Sequence, residues 1–169
     1  MADALLGPEP LAARHETKAF DCGNPALNNF LVRFALVNQD GGAARTYVAL
    51  RGTRVVGYYS LAAASAEPGR TAARVAKGLA RHAIPLTLLA RLAVDRTEQG
   101  AGLGAALLKD AITRHLQAES IIGSRALVVH AKDEKAAAFY ARHGFQRSPT
   151  DLLHLYLLTK DMKKTLGMR

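Results

Sequence analysis

Apolar positions in the chain recur with two different periods, and these divide it into helices and strands. Leu27, Phe30, Leu31 and Phe34 fall at i, i+3, i+4, i+7, which is one face of a helix. Asn24 suits the N-cap before them, and Pro25 suits the first helical position, where its missing N–H costs nothing. Asp40-Gly41-Gly42 closes this helical region. Two strand-like runs follow, Arg45 to Leu50 and Val55 to Leu61, split by Arg51-Gly52-Thr53-Arg54, and the spacing predicts a hairpin. Residues 65–85 read as an excursion with Pro68-Gly69, a short helical stretch and Pro85. A strand is predicted from Leu86 to Val94, a turn over Asp95 to Gln99, and a glycine-rich stretch from Gly100 to Gly104. Leu103 to Leu116 is helical, with Leu103, Leu107 and Ala111 on an apolar stripe that Leu108 and Ile112 broaden. Arg125 to His130 reads as a strand and Lys132 to His143 as a helix stopped by Gly144. Phe145 and the run Leu152 to Leu158 supply late strands. The order ααββ(α)βαβαβ implies an α/β or α+β domain with a mixed sheet.

Length and composition sharpen this. The 169 residues fit one domain, which typically takes ~100–200. With 49% hydrophobic and 22% charged residues, disorder and collagen-like structure are excluded. Lys and Arg number 23 against 14 Asp and Glu, a net +9 that favours polyanionic partners such as nucleic acid or nucleotides. Cys22 is the only cysteine, so no intrachain disulfide can form, and a reducing cytoplasm is the expected compartment. The start, Met1-Ala2-Asp3-Ala4-Leu5-Leu6-Gly7-Pro8, lacks the basic and apolar regions of a signal peptide. The longest apolar stretch free of charge, Val55 to Ala66, has 12 residues, short of the ~18 that suggest a membrane span. No membrane association is expected.

The stretch Gln99-Gly100-Ala101-Gly102-Leu103-Gly104 lies between a predicted strand and a predicted helix. Glycines let backbone approach a ligand closely, and the unpaired N–H groups and dipole of a helix start attract phosphate. Leu107 stands where a dinucleotide fingerprint has its third glycine, and no Gly-Lys-Ser/Thr follows, so neither nucleotide motif is present. A tight turn that serves packing alone is the competing reading. Later, Phe139-Tyr140-Ala141-Arg142-His143-Gly144-Phe145 carries a tyrosine whose hydroxyl can act as an acid, or can simply remain wet above a buried ring.

Together, Gln99-x-x-Gly102-x-Gly104 after a strand and Phe139-Tyr140 with Gly144-Phe145 resemble the acetyl-CoA signature of the GCN5-related N-acetyltransferase superfamily. Further segments look like one branch of it: Asp21-Cys22-Gly23 with Leu27-Asn28, Ala43-Ala44-Arg45-Thr46, Gly57-Tyr58-Tyr59-Ser60-Leu61, Ala90 to Asp95, and Val129-His130-Ala131. That branch is the acetyltransferase toxins of type II toxin–antitoxin modules. The likeness covers about residues 10–158. It implies a single GNAT domain over 1–169, α+β with α/β character, with a mixed, mostly antiparallel sheet flanked by helices. It implies acetyl-CoA as co-substrate, held by backbone from Gln99, Gly100, Ala101, Gly102, Leu103, Gly104 and Ala105. The thioester is expected on the strand Leu92-Ala93-Val94, with Tyr140 as general acid. The branch acetylates the amino group of aminoacyl-tRNA, which blocks translation. The resemblance further implies a ribbon-helix-helix antitoxin, promoter repression with DNA bound only through that antitoxin, and a homodimer. Many superfamily members carry Asn seven residues before the tyrosine, where this chain has Asp133.

The chemistry is compatible with a weak base or none. An α-amino group has a pKa of ~7.7–8.0 against ~10.4 for Lys, so an aminoacyl ester is substantially neutral near pH 7. No carboxylate lies within Leu86–Val94, and Asp95 at its end reads as a turn or cap residue.

Arg70, Arg74, Lys77 and Arg81 fall at i, i+4, i+7, i+11, a narrow basic stripe at helical pitch. They are candidates for tRNA phosphates, with Arg91 near the acceptor end; a solvated helix face is the plainer reading. The histidines 15, 82, 115, 130, 143 and 154 are scattered without metal-ligand spacing, and no metal is expected. His130 is expected in a core strand, Cys22 as a small buried residue, and Tyr47, Tyr58 and Tyr59 in the sheet. The same acetyl transfer to a small-molecule amine or a protein N-terminus is the alternative function. A non-catalytic nucleic-acid or partner-binding module is a third.

Overall fold

The computed structural model describes residues 3–67, 73–76 and 82–165. Its strands are β1 (Leu5–Pro10), β2 (Arg45–Arg51), β3 (Arg54–Ala66), β4 (Ile84–Val94), β5 (Ala126–His130), β6 (Gln146–Arg147) and β7 (His154–Leu158). They form one seven-stranded sheet in the order β1-β2-β3-β4-β5-β7-β6. The β4–β5 pair is parallel, whereas β1–β2, β2–β3, β5–β7 and β6–β7 are antiparallel. The helices are α1 (Pro25–Asn29), a π-helical turn Phe30–Phe34, α2 (Ala35–Asp40), α3 (Ala73–Ala76), α4 (Leu103–Ile122), α5 (Glu134–Arg142) and α6 (Thr159–Thr165). The expected mixed sheet with flanking helices is therefore present.

Packing divides the chain into two units, Met1–Ala62 with Ala90–Ala111, and Ala63–Leu89 with Ile112–Arg169. In the first, β2 and β3 form the expected hairpin, turning at Gly52, whose φ of +62° suits glycine. Val48 and Tyr58 are cross-strand partners and fully buried in one core with Phe20, Phe30 and Leu31. The Tyr58 hydroxyl satisfies itself on the Leu27 carbonyl at 2.7 Å, which ties α1 to the sheet. A Cβ on Gly57 would stand 3.1 Å from Leu103 and Leu107, so glycine there lets α4 pack close.

In the second unit Val75, Ile84, Leu86, Tyr156 and Leu158 share a core. The Arg125 guanidinium donates to the Val75 carbonyl at 3.0 Å, anchoring α3. His115 on α4 is buried and lies 2.8 Å from the Thr159 hydroxyl, which donates to the Ser124 carbonyl at 2.7 Å.

Several elements depart from the pattern-based reading. β1 was not among the expected elements, which began at Asn24; it is an edge strand with a register shift between Leu6 and Glu9, where prolines are tolerated. β3 runs on to Ala66, α4 to Ile122, and α6 was missed in a polar run. The first helical face is interrupted, because the Ala35 N–H bonds the Phe30 carbonyl five residues back.

Candidate functional site

The glycine loop begins where β4 ends. Asp95, only 4% exposed, accepts hydrogen bonds from the Thr97 N–H (3.0 Å) and hydroxyl (2.8 Å) and from the Asp21 N–H (3.0 Å). Burial pushes its carboxyl pKa up, but the bonds from Asp21 and Thr97 outweigh that and hold it below the usual range. It is thus the cap residue expected, fixing the short 3-10 turn Arg96–Glu98. Glu98 is clamped by Arg51 through two bonds of 3.0 and 3.2 Å, and that pairing lowers its pKa. The Gln99 side-chain amide donates to the carbonyls of Val94 (2.8 Å) and Cys22 (3.1 Å). Gln99 therefore braces the loop through its side chain, a role the motif did not reveal.

Gly100 and Gly102 adopt φ of +81° and +89°, the left-handed region, and a Cβ on either would meet nothing within 4 Å. Backbone conformation, and not packing, demands glycine there, and the space above the loop is open. Gly104 is instead helical, inside α4. The first intrahelical bond at this end runs from the Ala106 N–H to the Gly102 carbonyl at 3.1 Å. The N–H groups of Leu103, Gly104 and Ala105 therefore lack intrahelical acceptors. The first turn of α4 carries no acid to compete for them. An open loop, free N–H groups and the positive end of a 20-residue helix fit a diphosphate such as that of acetyl-CoA.

The β4–β5 register covers only Thr87–Leu89 against Leu127–Val129, while β4 continues to Val94. Leu92, Ala93 and Val94 lie on that continuation, joined directly to the loop. Arg91, half-buried, lays its guanidinium 3.6 Å over the Phe30 ring. Asn24 caps α1 by accepting from the N–H groups of Ala26 and Leu27. Leu92–Val94, Gln99–Ala105 and Arg91 thus belong to the first unit, together with the Asp21–Asn24 turn that the brace holds. Cys22 there is only half-buried, packed against the core.

Tyr140 and Arg74 belong to the second unit. Tyr140 lies on α5, whose N-cap is Asp133, accepting from the Ala136 N–H at 2.8 Å; the residue at the expected asparagine position has a capping role. The Tyr140 ring packs against Phe139 and Phe145 and is 6% exposed. Burial pushes its pKa up to about 12, so the hydroxyl keeps its proton at neutral pH. Arg74 is ion-paired with Asp161 at 2.9 Å. Arg70, Lys77 and Arg81 lie outside the described residues.

The second unit also holds a cavity of about 210 Å³, which sequence reasoning did not foresee. Leu86, Leu88, Val128, His130, His154 and Tyr156 are among its lining residues. His130 is not a core residue, contrary to expectation: it is the last residue of β5 and is exposed. The alternation of β5 buries Leu127 and Val129 and turns Val128 and His130 to the cavity. No cluster of His, Cys, Asp or Glu able to hold a metal occurs among the described residues. None of their helices is long and apolar enough to cross a membrane.

Comparison with known proteins gives consistent matches. Residues 42–147 match the acetyltransferase (GNAT) domain family. The tRNA-acetylating toxin of Mycobacterium tuberculosis (strain ATCC 25618 / H37Rv) is 44% identical over 160 residues, covering 95% of this chain and 96% of that protein. Among solved structures, AtaT complexed with acetyl-methionyl-tRNAfMet superposes with a TM-score of 0.86 at 30% identity, covering 96% of this chain and 98% of that one. A tyrosine-to-phenylalanine mutant of the AtaT toxin, bound to the C-terminus of the antitoxin AtaR and acetyl-CoA, gives 0.83 at 31% identity, covering 98% and 100%.

Proposed function

The chain belongs to the GNAT acetyltransferase family, and from that premise we propose that it is a toxin that transfers acetyl from acetyl-CoA to the α-amino group of aminoacyl-tRNA, blocking translation. The observation that carries this reading is the 44% identity to a tRNA-acetylating toxin over nearly the whole of both chains. The uncapped helix start behind a braced, left-handed glycine loop supplies the matching chemistry.

The backbone from Gln99 to Ala105 holds the diphosphate of acetyl-CoA, and Leu92, Ala93 and Val94 align the thioester along the β4 edge. The neutral α-amine attacks the thioester carbonyl, a C–N bond forms and the C–S bond breaks. Tyr140 gives its proton to the departing thiolate and regains one from solvent, and the amine releases a proton. A hydroxyl with a pKa of about 12 holds its proton at rest, so it is a donor when negative charge develops on the departing sulfur. Arg91 and Arg74, with Arg70, Lys77 and Arg81, contact tRNA phosphates. A ribbon-helix-helix antitoxin neutralises the enzyme and brings the complex to DNA, repressing its promoter. Charged tRNA places the enzyme in the cytoplasm, and a homodimer is its expected assembly.

Incubation with labelled acetyl-CoA and total charged tRNA tests the reading. Label should enter the aminoacyl group, and identification of that group names the substrate. Label incorporated only into small amines or protein N-termini would favour the alternative acceptor.

A further inference from the structure

Helix α5 of the second unit has an outer face that the acetyl transfer leaves unused. Lys135, Phe139 and Arg142 fall at i, i+4, i+7, one stripe turned away from the buried Ala137 and Tyr140. Lys135 and Arg142 are exposed and Phe139 is half-buried. Lys132, also exposed, stands just before the N-cap Asp133. The exposed His143 ring closes the stripe: its Nδ1–H donates to the Phe139 carbonyl at 2.8 Å, and the two ring centroids are 4.7 Å apart. The carboxylates of this segment are engaged. Asp133 accepts from the Ala136 N–H at 2.8 Å, and Arg147 donates to Glu134 at 2.6 and 2.9 Å. Lys132, Lys135 and Arg142 have no hydrogen bond or ion pair among the described residues. Over residues 132–147 the four cations Lys132, Lys135, Arg142 and Arg147 outnumber the two carboxylates, a net +2. Helix stability does not account for the stripe, because Lys135 sits in the first turn, at the positive end of the helix dipole, where a cation is unfavourable.

Resting on the charged-tRNA reading above, we propose that this face of α5 is an RNA-docking surface. Lys132, Lys135 and Arg142 take backbone phosphates of the tRNA, and the Phe139–His143 pair lies against ribose or base between them. Lys135 and Arg142 are seven residues apart, roughly 10 Å along the helix. Cations spread over that length match a polymer with regularly spaced phosphates, whereas a single phosphate group would need them gathered at one point. Arg142 can grip a phosphate with two N–H groups at once, and the lysines act as point charges on flexible stems. The planar rings between them supply an apolar surface for a sugar or base, which a stripe of solvated lysines lacks. Phosphate contacts carry no sequence information, so this surface holds the body of the tRNA and leaves the choice of aminoacyl group to other residues. It governs affinity and not the chemical step.

Two measurements on the full chain test this. The first follows total tRNA binding from about 50 to 200 mM salt in the parent and in a variant carrying Lys132→Gln, Lys135→Gln and Arg142→Gln. Each lost phosphate contact should flatten the plot of log affinity against log salt by about 0.7–0.9, roughly 2–3 in all. The KM for charged tRNA should rise, while kcat and the calorimetric affinity for acetyl-CoA stay those of the parent. The second measurement needs no variant to fold: amine-reactive labelling of the unaltered protein, read by mass spectrometry, should show Lys132 and Lys135 protected by total tRNA and not by acetyl-CoA. Parallel salt plots in the folded variant, or lysines labelled equally with and without tRNA, overturn the proposal. Loss of acetyl-CoA affinity with tRNA binding intact also overturns it and assigns the stripe to the cofactor. If the parent still acetylates charged tRNA, any of these failures belongs to the surface alone. A parent that neither binds nor acetylates tRNA fails the substrate reading, and this surface falls with it.

Discussion

The glycine loop and the cavity around His130 are built on opposite principles. In the loop, Asp95, Glu98 and Gln99 each make two or more hydrogen bonds to fixed partners, and the glycines supply only backbone geometry. In the second unit, side chains with reactive atoms are left open: the ring nitrogens of His130, which lines the cavity, and the hydroxyl of Tyr140, which does not, have no hydrogen-bond partner among the described residues. A site for an invariant diphosphate gains from rigid N–H groups, because preorganised donors need no rearrangement on binding. Groups that move protons must keep lone pairs and O–H bonds unspent. The loop is therefore expected to govern affinity and the open hydroxyl of Tyr140 to govern rate.

The largest effect expected from that contrast is at Tyr140. Tyr140→Phe removes one oxygen that makes no structural bond, so folding should be unchanged while turnover falls by roughly 10²–10⁴-fold. Calorimetry should show unaltered acetyl-CoA affinity, and growth arrest on expression should disappear. Near-normal turnover would remove Tyr140 from the chemistry.

A buried titrating group of the second unit gives the next effect. Thr159 spends its hydroxyl proton on Ser124, so it accepts from His115 Nε2–H, and His115 Nδ1 is left buried without a partner. Burial lowers the His115 pKa from 6.5 to about 4. Between those values the unfolded chain binds a proton that the folded one refuses. Stability is therefore complete above pH 6.5 and falls on acidification toward pH 4, by about 3 kcal/mol from this residue. Urea unfolding across that range should show the slope, and His115→Gln, which keeps a donor for Thr159, should flatten it. A slope that survives the substitution would assign it to other groups.

Much of this was legible in the sequence, for identifiable reasons. The β2–β3 hairpin, α4 and α5 carry clear apolar periods, and Gln99–Gly104 and Phe139–Phe145 are local motifs. β1 was hidden because Pro8 and Pro10 are tolerated only on an edge, and edge status is a property of the whole sheet. The Gln99 brace was hidden because its acceptor at Cys22 is 77 residues away. His130 sits on a legible strand, but whether a strand residue faces core or cavity depends on what packs above it. The motif also suggested Gly102 and Gly104 as the demanding glycines, whereas positive φ falls at Gly100 and Gly102.

That difference yields an affinity test on the loop side. Gly102→Ala forces an L-residue into the left-handed region at about 1–2 kcal/mol, with no steric clash to add. A free loop that relaxes out of this strain must be forced back into it by the diphosphate, so acetyl-CoA affinity should weaken by up to roughly 5- to 30-fold. Gly104→Asp acts differently: at a helix start it favours the helix by about 0.3–1 kcal/mol, yet it repels the diphosphate. Its melting temperature should rise slightly while acetyl-CoA binding weakens. Unchanged calorimetric affinity in both folded variants would show that the diphosphate lies elsewhere.

The smallest effect separates two readings of Arg74. Its side chain is 43% exposed and pairs with Asp161, so as a tie between α3 and α6 it contributes only about 0–1 kcal/mol. As a phosphate contact it should instead appear in the salt dependence of tRNA binding. Arg74→Gln should then flatten the plot of log affinity against log salt by about 0.7–0.9. Asp161→Asn distinguishes the readings by sign. It breaks the same ion pair but frees the guanidinium, so a phosphate-binding Arg74 predicts tighter charged-tRNA binding from Asp161→Asn and weaker binding from Arg74→Gln. A purely structural tie predicts the same small loss of stability from both and no change in salt slope. Equal melting shifts with parallel salt plots would leave Arg74 as a brace of the second unit and remove it from the RNA surface.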